Sequence, residues 1–72
     1  MRSVFTTYDV RTEAQGQRAA VLLTAAGYTA TFRKYPVTLF YVEIEHDGEL
    51  PADAHGIVLA VDSQAVRFGR SR

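Results

Sequence analysis

The sequence predicts a small α+β domain of the order β-α-β-β-β(-β), in which one main helix packs on one face of a sheet. Apolar and polar side chains alternate over residues 38–46, which is typical of a strand with one buried face. Apolar residues recur every three or four positions within residues 13–26, which is typical of an amphipathic helix. The chain has 72 residues, so we expect a single domain over residues 1–72, with residues 69–72 as a frayed tail.

The first strand and the helix have clear local signals. Residues 4–8 are β-branched or aromatic and favour a strand. Thr12 and Gln15 have the spacing of a capping box, which starts the helix, and Gly27 ends it because glycine enters the left-handed conformation without steric cost. Gly16 lies inside the helix, where it indicates close packing. The apolar stripe of the helix consists of Ala19, Leu22, Leu23 and Ala26.

Two strands follow the helix, over residues 28–35 and 38–46, with Pro36 in the turn between them. In the second of these strands, one face carries apolar side chains and the other carries tyrosine and glutamates. We expect the apolar face to contact the helix. Its side chains are Phe40, Val42 and Ile44.

The C-terminal part predicts a short helical turn and further strands. Pro51 and Gly56 flank a single turn of helix over residues 52–55. Residues 57–61 are apolar on both faces, which favours a central strand. A turn then leads to a short last strand over residues 65–68, with a short C-terminal helix over the same residues as the alternative.

A single helix covers only one face of such a sheet, so we expect the other face to be partly apolar and uncovered. A contiguous apolar patch of that kind is typical of a surface for self-association or partner binding. The side chains expected on it are Tyr35, Leu39, Tyr41 and either Val58 or Ala60.

The charges are unevenly distributed although the formal net charge is zero. Residues 43–62 contain six acids and no Lys or Arg, whereas the rest of the chain contains all eight basic residues and only two acids, Asp9 and Glu13. We predict a non-catalytic protein-interaction module, or a small inhibitor or regulator, that docks on a basic or nucleic-acid-binding partner surface. In a second version of this hypothesis, the partner is another copy of the same chain and the protein forms a homodimer. The predicted contact residues are Tyr35, Leu39, Tyr41, Glu43, Glu45, Asp47 and Glu49.

The alternative function is nucleic-acid binding. Arg33 and Lys34 offer positive charge for phosphates, and Tyr35 and Tyr41 offer rings on which bases stack. The glutamates beside Tyr41 oppose this interpretation because they repel a phosphate backbone.

No pattern in the sequence predicts catalysis, a metal site or a cofactor. His46 and His55 flank an acidic loop, but their spacing is not that of a ligand pair, and we expect both to be solvent-exposed. The serines lack a neighbouring histidine, and the glycines form no phosphate-binding motif. Glu43 and Glu45, about 7 Å apart on one strand, are interpreted as part of a solvated face. The chain has no cysteine and no apolar segment typical of a signal peptide or membrane span, so we expect a cytoplasmic protein with no membrane partner.

Residues 12–30, which begin with Thr12-Glu13-Ala14 and end with Ala26-Gly27-Tyr28-Thr29-Ala30, resemble the helix-to-strand unit of small ferredoxin-like domains. These domains include the SPOR cell-wall-binding family and small signalling domains. The resemblance implies a related fold over under a third of the chain, and it carries no binding residue to this sequence.

Overall fold

The computed structural model describes residues 3–35 and 39–71, and they form a four-stranded antiparallel sheet and two helices. Pro36, expected in the turn before the third strand, lies outside these ranges. The elements are β1 (Ser3–Val10), α1 (Glu13–Ala25), β2 (Thr29–Tyr35), β3 (Leu39–Asp47), α2 (Ala52–Val61) and β4 (Val66–Ser71). The strand order across the sheet is β2-β3-β1-β4, with antiparallel neighbours throughout.

The prediction of a central strand over residues 57–61 is wrong, because these residues belong to α2. The helix continues through Gly56, so the predicted single turn over residues 52–55 is also too short. Ala54 and Val58, four positions apart, are both fully buried and share one helix face. An apolar run of five residues satisfies a buried helix as well as a buried strand, and periodicity alone does not separate them.

The predicted layer of one main helix is therefore wrong in number, because two helices, α1 and α2, cover the same face of the sheet. We expected either Val58 or Ala60 on the uncovered sheet face, and this is wrong. Val58 packs in the core, and Ala60 is exposed on α2. The prediction for β3 is confirmed, since Val42 and Ile44 are buried and Phe40 packs against the core. The buried hydrophobic core comprises Tyr8, Val10, Ala19, Leu23, Val42, Ile44, Ala54 and Val58.

The N-terminus of α1 confirms the predicted cap and corrects its details. The backbone amide of Gln15 donates to the hydroxyl of Thr12 at 3.1 Å. The Gln15 side chain does not return a bond to the backbone of Thr12. Its Oε1 instead accepts from the Thr12 hydroxyl at 2.9 Å, and its Nε2 donates to the carbonyl oxygen of Val61 at 3.4 Å. Gln15 thus also ties α1 to the end of α2.

The predicted stripe of α1 is only half correct. Ala19 and Leu23 are fully buried, whereas Leu22 is partly exposed and Ala26 is the exposed C-cap. Gly27 has a φ of 100°, which confirms its predicted role at the helix end.

Gly16 confirms the predicted close packing between α1 and the sheet. A Cβ atom at this position would overlap the ring of Phe32 and would lie 3.2 Å from Cγ2 of Val10. The ring of Phe32 also stacks on that of Phe40, with centroids 6.4 Å apart. Glycine therefore allows the helix backbone to approach β2.

The last segment is a strand, as predicted, and the alternative of a C-terminal helix is wrong. β4 pairs with β1 and extends to Ser71, so it includes residues 69–71 of the predicted frayed tail, while Arg72 lies outside the described residues. Its register shifts between Thr6 and Thr7, where the pairing is bulged.

Candidate functional site

The sheet face opposite the two helices, called the open face below, carries the candidate site. Along β1 and β3, buried side chains alternate with exposed or half-buried ones, and the second set belongs to the open face. The register aligns Arg33, Tyr41 and Asp9 in one row across three strands. The described open-face side chains are Ser3, Phe5, Thr7, Asp9, Thr29, Thr31, Arg33, Leu39, Tyr41, Glu43, Glu45, Asp47 and Val66.

Acidic groups dominate the charge of the open face. Glu43, Glu45 and Asp47 occupy alternate positions of β3, and Asp9 lies on the neighbouring strand β1 opposite Tyr41. Among the ion pairs of the described residues, only the one between Arg33 Nε and Glu43 Oε1, at 3.1 Å, lies on this face. The described part of the open face thus carries four carboxylates and one guanidinium, and its formal charge is negative.

The open face mixes acidic, aromatic and aliphatic groups, and in this it differs from the partly apolar patch expected from the sequence. Leu39 and Val66 are 40% and 59% exposed, but they lie on β3 and β4, on opposite sides of β1. Phe5 and Tyr41 are half-buried. The register places Phe5 opposite Glu45, so a carboxylate accompanies this ring.

The structure brings together five of the predicted contact residues and places Glu49 apart from them. Glu49 is exposed in the connection between β3 and α2. Tyr35 pairs through its backbone with Leu39, and its side chain lies outside the described part of the chain. The five on the open face of β3 are Leu39, Tyr41, Glu43, Glu45 and Asp47.

The acidic stretch over residues 43–62 does not form one surface. Asp53 lies in the first turn of α2 and accepts a hydrogen bond of 2.5 Å from the hydroxyl of Tyr28. Asp62 is buried, where it accepts bonds from Arg11 and Gln64. Sequence reasoning also missed Asp9 as a site residue, although the period-two pattern of β1 places it on the face opposite Tyr8 and Val10.

The basic residues of the nucleic-acid alternative lie on opposite faces of β2. Arg33 is on the open face, where it contacts Glu43. Lys34 is opposite Phe40 in the register, and its Nζ lies 3.4 Å from Oε1 of Glu13 on α1. Both cations are therefore paired with carboxylates of this chain.

Both histidines face the helix-covered side of the sheet, so the prediction that they are solvent-exposed is wrong. His46 is only 9% exposed, and its Nε2 lies 2.6 Å from the hydroxyl of Thr6. Within the described residues, Nδ1 of His46 is buried and has no hydrogen-bond partner. The period-two pattern of β3, which buries Val42 and Ile44, continues to His46 and is the signal that could have found its position.

His55 on α2 contacts the fully buried Tyr8, with Nδ1 2.6 Å from the tyrosine hydroxyl. Burial raises the pKa of Tyr8, although Arg67, opposite Tyr8 on β4, acts in the other direction. The hydroxyl therefore stays protonated at neutral pH and forms a hydrogen bond with Nδ1 of His55.

Among residues 3–35 and 39–71, no group of three or more His, Cys, Asp or Glu side chains is arranged to hold a metal ion. The helices in the same ranges are too short or too polar to cross a bilayer. No protein-family model, curated protein or solved structure matches the chain.

Proposed function

We propose that this protein is a non-catalytic interaction module, or a small inhibitor or regulator, whose open face binds a cationic surface of a partner protein. The observation that carries the proposal is the position of Asp9 on β1 beside the acidic residues of β3. It extends the acidic surface across two strands of a sheet face that neither helix covers.

Geometry supports an extended, basic contact on this face. The carboxylates of Glu43, Glu45 and Asp47 recur at about 7 Å intervals along β3, because alternate residues of a strand share one face. The strands fix the backbone of these residues, so binding needs to order only their side chains. Phe5 and Tyr41 add half-buried rings beside the carboxylates, and such rings attract Lys and Arg side chains.

We also propose that the fold is ferredoxin-like. The element order β-α-β-β-α-β is the one that characterises that group of folds, and two helices lie against one side of an antiparallel sheet. This proposal concerns architecture alone, since a fold of this kind hosts many unrelated functions. A cytoplasmic location stays a prediction.

A fluorescent synthetic peptide with arginine at every second position tests the proposed function. We expect it to bind the wild-type protein with an affinity that falls as salt rises. The double variant Asp9→Asn/Glu45→Gln should weaken binding at least tenfold at physiological salt. Equal peptide affinity at every salt concentration, or no binding at all, would rule out the cationic-partner hypothesis.

The matched control is Glu13→Gln/Asp53→Asn, which removes the same charge from positions outside the open face. We expect this variant to bind the peptide within about twofold of wild type, because long-range net charge alone is largely screened at physiological salt. An equal loss in both variants would show that net charge, and not the open face, governs binding.

Nucleic-acid binding has less support as a second function. A phosphate backbone on the open face would meet Arg33 together with the carboxylates of Asp9, Glu43 and Glu45. Lys34 lies on the opposite face and contacts Glu13, so it does not add its charge to that of Arg33.

A further inference from the structure

The outer edge of β2 is a regular strand edge. β2 and β4 are the two edge strands of the sheet. β2 pairs with β3 in one uninterrupted register, from Thr29 opposite Glu45 to Tyr35 opposite Leu39. Every second residue of an edge strand directs its N–H and C=O groups away from the sheet, where another strand can pair with them.

The other edge of the sheet, β4, has an irregular register, which is a feature of edges that are protected from further pairing. The pairing of β4 with β1 shifts register between Thr6 and Thr7, and a bulge there twists the edge and interrupts a regular ladder. β2 has no such irregularity over the pairs from Thr29 to Tyr35. Of the two edges, that of β2 is the better template for a further strand.

The charges of β2 do not oppose the approach of an identical strand. Arg33 is paired with Glu43 at 3.1 Å on the open face, and Lys34 with Glu13 at 3.4 Å on the helix-covered face. Lysine often protects an edge from pairing, but here its ammonium group is directed to α1. Face-to-face association of two open faces, by contrast, would juxtapose like charges at Asp9 and along β3.

We propose that two copies of this chain associate through antiparallel pairing of their β2 strands, which extends one sheet across both copies. Pairing centred on Thr31 places Arg33 of one copy opposite Thr29 of the other, and this separates the two arginines along the strands. The contact is small, so we expect a concentration-dependent dimer rather than a permanent one. Pairing of the β2 strands leaves both open faces accessible. This inference therefore does not depend on the proposed binding of a cationic partner.

Sedimentation equilibrium of the wild-type protein, with disulfide trapping of single-cysteine variants, tests the proposal. The chain has no cysteine, so Thr31→Cys introduces a single thiol on β2, and Ser63→Cys is the matched control in the exposed turn before β4. We expect the mass to rise from 8.0 kDa towards twice that value with concentration, and Thr31→Cys to form at least tenfold more linked dimer than Ser63→Cys under mild oxidation.

Amide exchange of the wild-type protein supplies a measurement without substitution, should Thr31→Cys fail to fold. We expect the protection of β2 amides to increase with protein concentration while that of β4 stays constant. A mass that stays monomeric to millimolar concentration would overturn the proposal. So would a dimer that cross-links equally at both positions, or one that leaves β2 exchange unchanged.

Discussion

The buried carboxylate of Asp62 accepts hydrogen bonds from both the backbone amide and the guanidinium of Arg11, at 3.0 and 2.9 Å. The amide of Gln64 donates a third bond at 3.0 Å. The Asp62 side chain is 0% exposed, and Arg11 follows the end of β1 directly. One side chain after α2 therefore joins the end of β1 to the turn that leads into β4.

The bonds of Asp62 predict a loss of stability in acid. Burial alone would raise the pKa of Asp62, but hydrogen bonds from the backbone of Arg11 and Gln64, together with the Arg11 guanidinium, hold it below its ordinary value. The folded state thus favours the ionised form. The contribution of ionised Asp62 to the free energy of unfolding is complete above the pKa of about 4 in the unfolded chain. It is lost as the pH falls through the lower pKa of the folded protein.

Asp62→Asn should lower the free energy of unfolding at pH 7 by about 1–3 kcal/mol, since the amide cannot accept all three bonds. It should also flatten the acid side of the stability profile, measured by urea unfolding between pH 7 and pH 3. The control Asp53→Asn changes an exposed carboxylate, and we expect a change below about 0.5 kcal/mol. A profile for Asp62→Asn as steep as that of wild type would contradict this assignment.

The two helical glycines predict opposite effects of the same substitution. Gly16→Ala should destabilise the protein by about 1–3 kcal/mol, because its Cβ overlaps the ring of Phe32 and the cost exceeds the gain in helix propensity. Gly56→Ala should stabilise it by about 0.5–1 kcal/mol, since nothing lies within 4 Å of the new Cβ. Thermal and urea unfolding measure both. Stabilisation by both substitutions would show that α1 does not approach β2 so closely.

The burial of Tyr8 predicts a loss of stability in alkali. Since burial raises the pKa of Tyr8, the folded state favours the neutral phenol. Stability from this group is complete below the unfolded pKa of about 10 and is lost as the pH rises through the higher folded value. Tyr8→Phe removes this dependence and, at neutral pH, the bond to His55, which contributes about 0.5–1.5 kcal/mol.

Tyr28→Phe is the control for the alkaline measurement. Its hydrogen bond to Asp53 raises the pKa of Tyr28 as well, but that bond is exposed to solvent. We therefore expect a smaller change in the alkaline unfolding profile than for Tyr8→Phe. Equal changes in the two variants would show that burial of Tyr8 is not the cause.

An RNA titration at two salt concentrations separates the proposed function from its alternative. With carboxylates around Arg33 and Lys34 on the opposite face, we expect no binding of single-stranded RNA that strengthens at low salt. Fluorescence anisotropy with a labelled oligonucleotide measures this. RNA binding that strengthens steeply at low salt, and that is lost in Arg33→Gln, would favour the nucleic-acid alternative instead.

Local patterns of the sequence determined the elements whose signals are short-range. The alternation along β3 assigned Val42 and Ile44 to the core, and the cap at Thr12 placed the start of α1. Gly16 indicated close packing, because a glycine inside a helix is unfavourable unless another contact requires it. The same alternation correctly placed Glu43 and Glu45 on the face away from the helices.

Only the tertiary structure decided the rest, because it depends on contacts between residues distant in the chain. An apolar run at residues 57–61 suits a helix or a strand, and packing of Val58 in the core selects the helix. The pairing of β1 with β3 brings Asp9 to the acidic open face. The fold also buries Asp62 and pairs its carboxylate with Arg11. A buried carboxylate requires hydrogen-bond partners, and here they come from residues that only the fold brings close.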